Sequence, residues 1–109
     1  MMSDFFKNVK LVVALIPEGR VSTYGAIARF LGASKSSRVV GWVLNKSANI
    51  DEVPAHRVVN RFGFLSGKHH FQTLSEMEEL LYKEGVIVKN DEVLNFDNLF
   101  WDPSEELKW

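Results

Sequence analysis

Two titratable side chains, His56 and Arg57, stand in an otherwise apolar run, VPAHRVVNRFG at residues 53–63. An imidazole and a guanidinium are costly to bury unless each finds a hydrogen-bond partner. The run therefore admits two uses. One is a satisfied His–Arg pair that pins a hairpin, the ordinary fate of buried polar groups. The other is the floor of a ligand pocket. Pro54 makes a short turn, Val58-Val59 reads as a strand, and Asn60, Arg61 and Gly63 turn the chain back towards Phe64 and Leu65. A basic, flexible loop, Ser66-Gly67-Lys68-His69-His70, follows. Its paired histidines lack a third ligand at helical or hairpin spacing, so a solvated loop is expected there, with no metal and no cofactor.

The elements around this run must position it. Phe5, Val9, Val12 and Ile16 repeat at helical spacing and predict a helix over 4–16, with Asp4 at its amino end and Pro17 and Gly19 after it. Val21-Ser22 reads as an extended link. Ser22 or Thr23 caps a helix from Tyr24 to Leu31 whose Ile27, Phe30 and Leu31 face inward, and Gly32 supplies a left-handed exit. Ser34 caps a next helix over Lys35–Lys46, striped by Val39, Val40, Val43 and Leu44, with Gly41 allowing a close neighbour. Two helices joined by a tight turn make a helix-turn-helix. Lys35, Ser36, Ser37 and Arg38 then lie at the positive end of the second helix, suited to phosphates or base edges. Helix pairs of this shape also serve as plain scaffold.

A polar connection follows at 47–53, with a helical turn at 50–52. Thr73–Glu76 has the spacing of a capping box for a helix to Glu84, with Met77, Leu80 and Leu81 inward and Gly85 as its stop. Val86–Val88 and Val93–Phe96 predict a hairpin around Lys89–Glu92. In the tail, Leu99, Phe100 and Trp101 are expected to dock on the core. The fold class is thus mainly α with short β elements, in a single domain over 1–109.

Length and charge narrow the function. A chain of 109 residues and 12.4 kDa is large enough for a core without staples. It contains no cysteine, which excludes a disulfide framework and a thiolate nucleophile. No apolar run approaches the ~20 residues that span a bilayer. A soluble intracellular protein without membrane contact is expected: cytoplasmic and nucleoid-associated if bacterial, nuclear if eukaryotic. The net charge of −1 hides an asymmetry. Residues 1–70 hold ten Lys/Arg against four Asp/Glu, and residues 71–109 hold three against ten. One basic working face and an acidic remainder are expected, the latter a surface for a protein partner.

Four stretches, IPEGRVSTYGAIARFLG, SSRVVGWVL, VPAHRVVN and LLYKEGV, stand in this order between about Val9 and Val88. Together they resemble the DNA-binding domain of the 6-O-alkylguanine-DNA alkyltransferases, and the resemblance implies a winged-helix-like helix-turn-helix domain of the alkyltransferase C-terminal type. Those enzymes read Pro-Cys-His-Arg, and the cysteine accepts the alkyl group. Here that position is Ala55, whose methyl has no lone pair. The chain is therefore similar to the alkyltransferase-like proteins, which keep the lesion-reading site and lack the nucleophile. It is not expected to be an enzyme.

Carried over by position, the resemblance implies these roles. Tyr24 crowds the phosphate beside the target nucleotide and helps rotate it out; its plainer role is a core aromatic. Arg38 is the arginine finger that fills the vacated stack, where a planar guanidinium stacks and bonds; its plainer role is a phosphate contact. Tyr24, Pro54, Ala55, His56, Val58, Ser66 and Lys68 form the lesion pocket, closed by the loop Phe64–His70. Lys68 donates to the lesion or its phosphate. Thr23, Tyr24, Lys35, Ser36, Ser37, Lys46 and Arg61 hold the DNA backbone. His56 and Glu84, with Arg57, form a structural pair because there is no thiol to activate. Asn45 or Ser47 bridges helix and pocket.

The implied partner is duplex DNA containing alkylated guanine, bound by a monomer that bends it and flags it to nucleotide excision repair proteins. Flipping costs a few kcal/mol, less when pairing is already weakened. The alternative is a helix-turn-helix transcription regulator, which would ordinarily be a dimer reading two half-sites. A third reading, an enzyme with another nucleophile, needs an aligned base beside a hydroxyl.

Overall fold

The computed structural model describes residues 2–46 and 52–107. Helix α1, Met2–Ala14, starts two residues earlier and stops two earlier than its pattern predicts. The last turn closes instead through Leu15 N–H to Val12 O and Ile16 N–H to Val13 O, at 3.0 and 3.1 Å, ahead of Pro17. Gly19 then turns the chain with φ +86°.

Strand β1, Ser22–Thr23, pairs in parallel with β2, Val58–Val59, in the register Ser22↔Val58 and Thr23↔Val59. The partner of β2 comes from 36 residues upstream, a pairing that neither use read for this run includes. The expected return does occur, with Asn60 N–H bonded to Phe64 O at 3.0 Å and the Asn60 side chain accepting from Phe62 and Phe64 N–H. Successive strand residues face opposite ways. Val58 therefore joins the cluster of Val9, Val12, Ile16, Ile27, Val43 and Trp101, while Val59 joins Val21, Leu65, Met77, Leu81 and Val93. Two short strands thus serve both halves of the core.

Thr23 caps α2, Tyr24–Phe30, by accepting from Ala26 N–H at 3.0 Å. The helix ends in paired bonds from Gly32 N–H to Arg29 O and from Ala33 N–H to Ala28 O, with Gly32 at φ +76°. This is the left-handed exit that a glycine permits. Helix α3 is Ser37–Asn45. Lys35 and Ser36 were expected inside it but precede it, because Ser36 N–H closes a turn onto Ala33 O at 2.8 Å. Ser34 accordingly caps nothing, and the capping position is Ser36, without a side-chain bond.

The segment 47–51 lies outside the described residues, as does most of the expected connection and its helical turn. Ala55–Arg57 form a 3₁₀ turn, and so do Lys68–His70, within the loop read as flexible. Helix α4 is Glu76–Lys83. The capping box does not form as expected. Glu76 reaches past Thr73 to Gln72 N–H at 2.8 Å, and Ser75 holds the cap position without a side-chain bond.

The second hairpin is shorter than its pattern. Strands β3, Val88–Lys89, and β4, Glu92–Val93, pair antiparallel, and Asn90 and Asp91 both take positive φ at the tip. Leu94–Phe96 leave the strand, because Asn95 is left-handed and opens α5, Phe96–Leu99. The tail docks as expected through backbone bonds Val21 N–H to Leu99 O and Trp101 N–H to Val21 O, at 3.1 and 2.7 Å. Arg20 adds bonds to the carbonyls of Leu99 and Phe100. Asp102 caps the last helix, α6, Pro103–Glu106.

Candidate functional site

The turn after Pro54 is fixed by one carboxylate. Glu84, at the carboxyl end of α4, accepts from His56 Nε2 at 2.7 Å, from Arg57 Nη2 at 2.7 Å and from Gly19 N–H at 3.1 Å. Arg57 adds Nε bonds to both Glu84 oxygens and an Nη1 bond to Ile16 O at 2.8 Å. Burial alone would raise the Glu84 carboxyl, but the hydrogen bonds from Arg57, His56 and Gly19 outweigh it and bring the pKa down to about 2. Burial is the main influence on His56 and holds its imidazole below the ordinary 6.5. A carboxylate only accepts, so the neutral ring donates through Nε2 and leaves Nδ1 as a buried acceptor without a partner.

On the other side of this turn Ala55 opens into a cavity of about 260 Å³. Tyr24 from the start of α2 and Leu44 and Asn45 from α3 form one wall, and Phe71, Gln72, Glu76 and Met77 form the other. Gly67 and His70 complete the rim. A Cβ on Gly67 would lie 2.7 Å from the Tyr24 hydroxyl, so the missing side chain is what lets the tyrosine stand there. Burial raises the Tyr24 phenol above 10.0, and a hydrogen bond with Ser66 opposes the shift. A Cβ on Gly41 would meet the same ring at 3.6 Å, an ordinary contact.

An adjoining groove shares Tyr24, Asn45, Gly67 and His70 with the cavity and adds Ser37, Arg38, Trp42 and Ser66. Tyr24, Ala55, Ser66 and Arg38 are thus brought to one side of the molecule. Other residues read as pocket lining are elsewhere. Pro54 and His56 line the cleft beside Glu84, because the 3₁₀ turn sends Ala55 one way and His56 the other. Val58 is fully buried in the core. Lys68 is ion-paired to Asp91 at the hairpin tip.

Among the expected backbone contacts, Lys35, Lys46 and Arg61 are exposed. Lys46 lies 5.6 Å from the Trp42 ring centre, and Arg61 stacks over Phe62 at 4.7 Å. Thr23 is buried, with its oxygen committed to the α2 cap. Ser36 and Ser37 flank the start of α3 and are half-buried. Asn45 reaches the cavity; Ser47 is outside the described residues. Phe71, Gln72, Glu76 and Met77 were missed as lining residues. Glu76 was read as part of a helix cap and Met77 as core, while Phe71 and Gln72 carried no signal, and only the fold brings the start of α4 against Ala55.

Residues 4–86 match the family model of the 6-O-methylguanine DNA methyltransferase DNA-binding domain. The DNA base-flipping protein of Escherichia coli K12 is 36% identical over 99 residues, which cover 91% of this chain and 75% of that protein. Alkyltransferase-like protein 1 of Schizosaccharomyces pombe is 33% identical over 106 residues, 94% of this chain and 98% of the relative. The crystal structure of the S. pombe protein in complex with damaged DNA containing O6-carboxymethylguanine superimposes with a TM-score of 0.82 at 34% identity, covering 94% of this chain and 99% of that one. The Mycobacterium tuberculosis O6-methylguanine methyltransferase gives a TM-score of 0.65 at 30% identity, with 81% of this chain matched to 52% of the enzyme.

Proposed function

Because this chain belongs to the family of the 6-O-methylguanine DNA methyltransferase DNA-binding domain, we propose that it reads alkylated guanine in duplex DNA without removing the alkyl group. The nucleotide is rotated out past Tyr24 into the cavity above Ala55, and Arg38 takes its place in the stack. The observation that carries this reading is that Tyr24 walls the cavity over Ala55 and also lines the groove that holds Arg38. A cavity closed by core side chains, or an arginine on the far face, would have left no path for an everted base.

Non-catalysis rests on chemistry at the same spot. The side chain facing the cavity from the Pro54 turn is a methyl group, and the sequence contains no cysteine. The His56–Glu84 couple is turned away from it and has no thiol to activate. Binding without chemistry gives a persistent, bent complex, which suits a flag for nucleotide excision repair. The relatives named for base flipping and for damaged DNA support the lesion-binding part of this reading.

The test is a paired titration. A labelled duplex with one 6-O-methylguanine is expected to bind roughly tenfold or more tightly than the same duplex with guanine, reflecting a base that is cheaper to unpair. Mass spectrometry should return the protein unmodified and the methyl group still on DNA. Superimposable binding curves would remove the lesion-reading claim. Sequence-specific protection of an undamaged operator would favour a transcription regulator instead.

A further inference from the structure

Which adducts the cavity accepts can be argued from its lining, an inference that rests on the reading just given. If the everted guanine directs its O6 substituent at Ala55, the substituent lies between the apolar side chains of Leu44, Phe71 and Met77 and the carboxylate of Glu76. Glu76 is half-buried and held in place, since its Oε1 accepts from Gln72 N–H at 2.8 Å. No Lys or Arg lines this cavity among the described residues.

Lys68 is tied to Asp91, Arg38 lines the adjoining groove, and Lys46, which follows the cavity residue Asn45, is exposed and lies 5.6 Å from the Trp42 ring centre. His70 is on the rim, exposed to solvent. A second carboxylate brought into this space would face a fixed like charge in a region poorer in water than bulk solvent, with no cation to offset it.

We propose that the cavity selects O6-alkylguanines whose alkyl group is uncharged and disfavours those ending in a carboxylate, with Glu76 as the discriminating residue. In this it differs from what its S. pombe relative was crystallised with, an O6-carboxymethylguanine duplex. The discrimination is a repulsive element added to a tolerant apolar pocket, which is the usual way a site rejects one of two similar guests.

The experiment compares two duplexes that differ only in charge at one position, O6-carboxymethylguanine and its amide isostere O6-carbamoylmethylguanine, by competition in fluorescence anisotropy. The native protein should prefer the amide by roughly fivefold or more, the scale of one partly screened like-charge contact. Glu76→Gln keeps an acceptor for Gln72 N–H and should bring the ratio to within about twofold. Asn45→Lys leaves Glu76 untouched, adds a cation at the cavity wall, and should narrow the ratio independently. Each ratio is internal to one protein preparation, so partial loss of folded material cancels. Equal binding of the two adducts by the native protein, tighter binding of the carboxylate, or a ratio unmoved by both variants would overturn the proposal while lesion reading stood. Failure of the native protein to distinguish either adduct from guanine would remove the lesion reading itself, and this inference with it.

Discussion

Tyr24 is one of four residues that cavity and groove share, and its position depends on a side chain that is not there. The 2.7 Å approach between a Gly67 Cβ and the phenol oxygen is closer than atoms tolerate, whereas the 3.6 Å approach from Gly41 is comfortable. Gly67→Ala should therefore displace the ring, lower Tm by roughly 5 °C or more through overpacking, and weaken discrimination between alkylated and normal guanine. Gly41→Ala should leave discrimination intact and change stability by less than about 1 kcal/mol, since alanine suits a helix interior better than glycine does. Thermal melts with the paired binding assay check both. Tyr24, Arg38 and Ala55 were singled out through the resemblance of their motifs, and the fold brings all three to one side of the molecule. Lys68 could not be placed from the sequence: its partner Asp91 is 23 residues away and sits in a hairpin tip of no evident relevance to a pocket.

At the scale of elements, the Glu84 clasp joins the end of α4, the turn after α1 and the 3₁₀ turn into β2. Both titrating members hold their protons less tightly in the fold than ordinary groups do, His56 below 6.5 and Glu84 at about 2 against 4.5. The unfolded chain thus binds more protons, and stability must fall as pH falls. The His56 part is lost on going below 6.5, and the Glu84 part between 4.5 and about 2. Urea midpoints should decline from pH 7.5 to 5.5 and again towards pH 3, and a flat profile would contradict the clasp. Glu84→Gln should flatten the lower limb and cost about 3 kcal/mol at neutral pH, because it strips the charge that Arg57 faces. Helices α1 to α4 were legible from apolar spacing, with ends displaced where turns such as Ala33–Ser36 competed for backbone bonds. The β1–β2 pair was not, since two-residue strands carry no periodicity and a parallel partner can lie anywhere in the chain.

The groups proposed to face the lesion lie on the side where α2, α3 and the loop 66–72 line the cavity and the adjoining groove. Lys35, Lys46 and Arg61 are exposed cations available to a phosphate backbone, whereas Arg38 is assigned to the base stack and Lys68 is neutralised by Asp91. Three such contacts predict that log K falls against log salt with a slope of roughly −2 to −3. A titration of undamaged duplex over a range of salt measures it, and a slope near zero would place the duplex on another face. The charge asymmetry was visible in the sequence, but which cations remain free was not, because pairing is decided by contacts across the fold. The hairpin tip has one more implication. Asn90 and Asp91 both adopt a left-handed backbone that glycine would accept more easily, yet glycine has no carboxylate with which to hold Lys68. A bend that glycine would ease, outside the cavity, therefore decides whether Lys68 is paired. A change made there to stiffen the ribbon would release an ammonium group next to Gly67 on the loop whose Gly67 and His70 line the cavity.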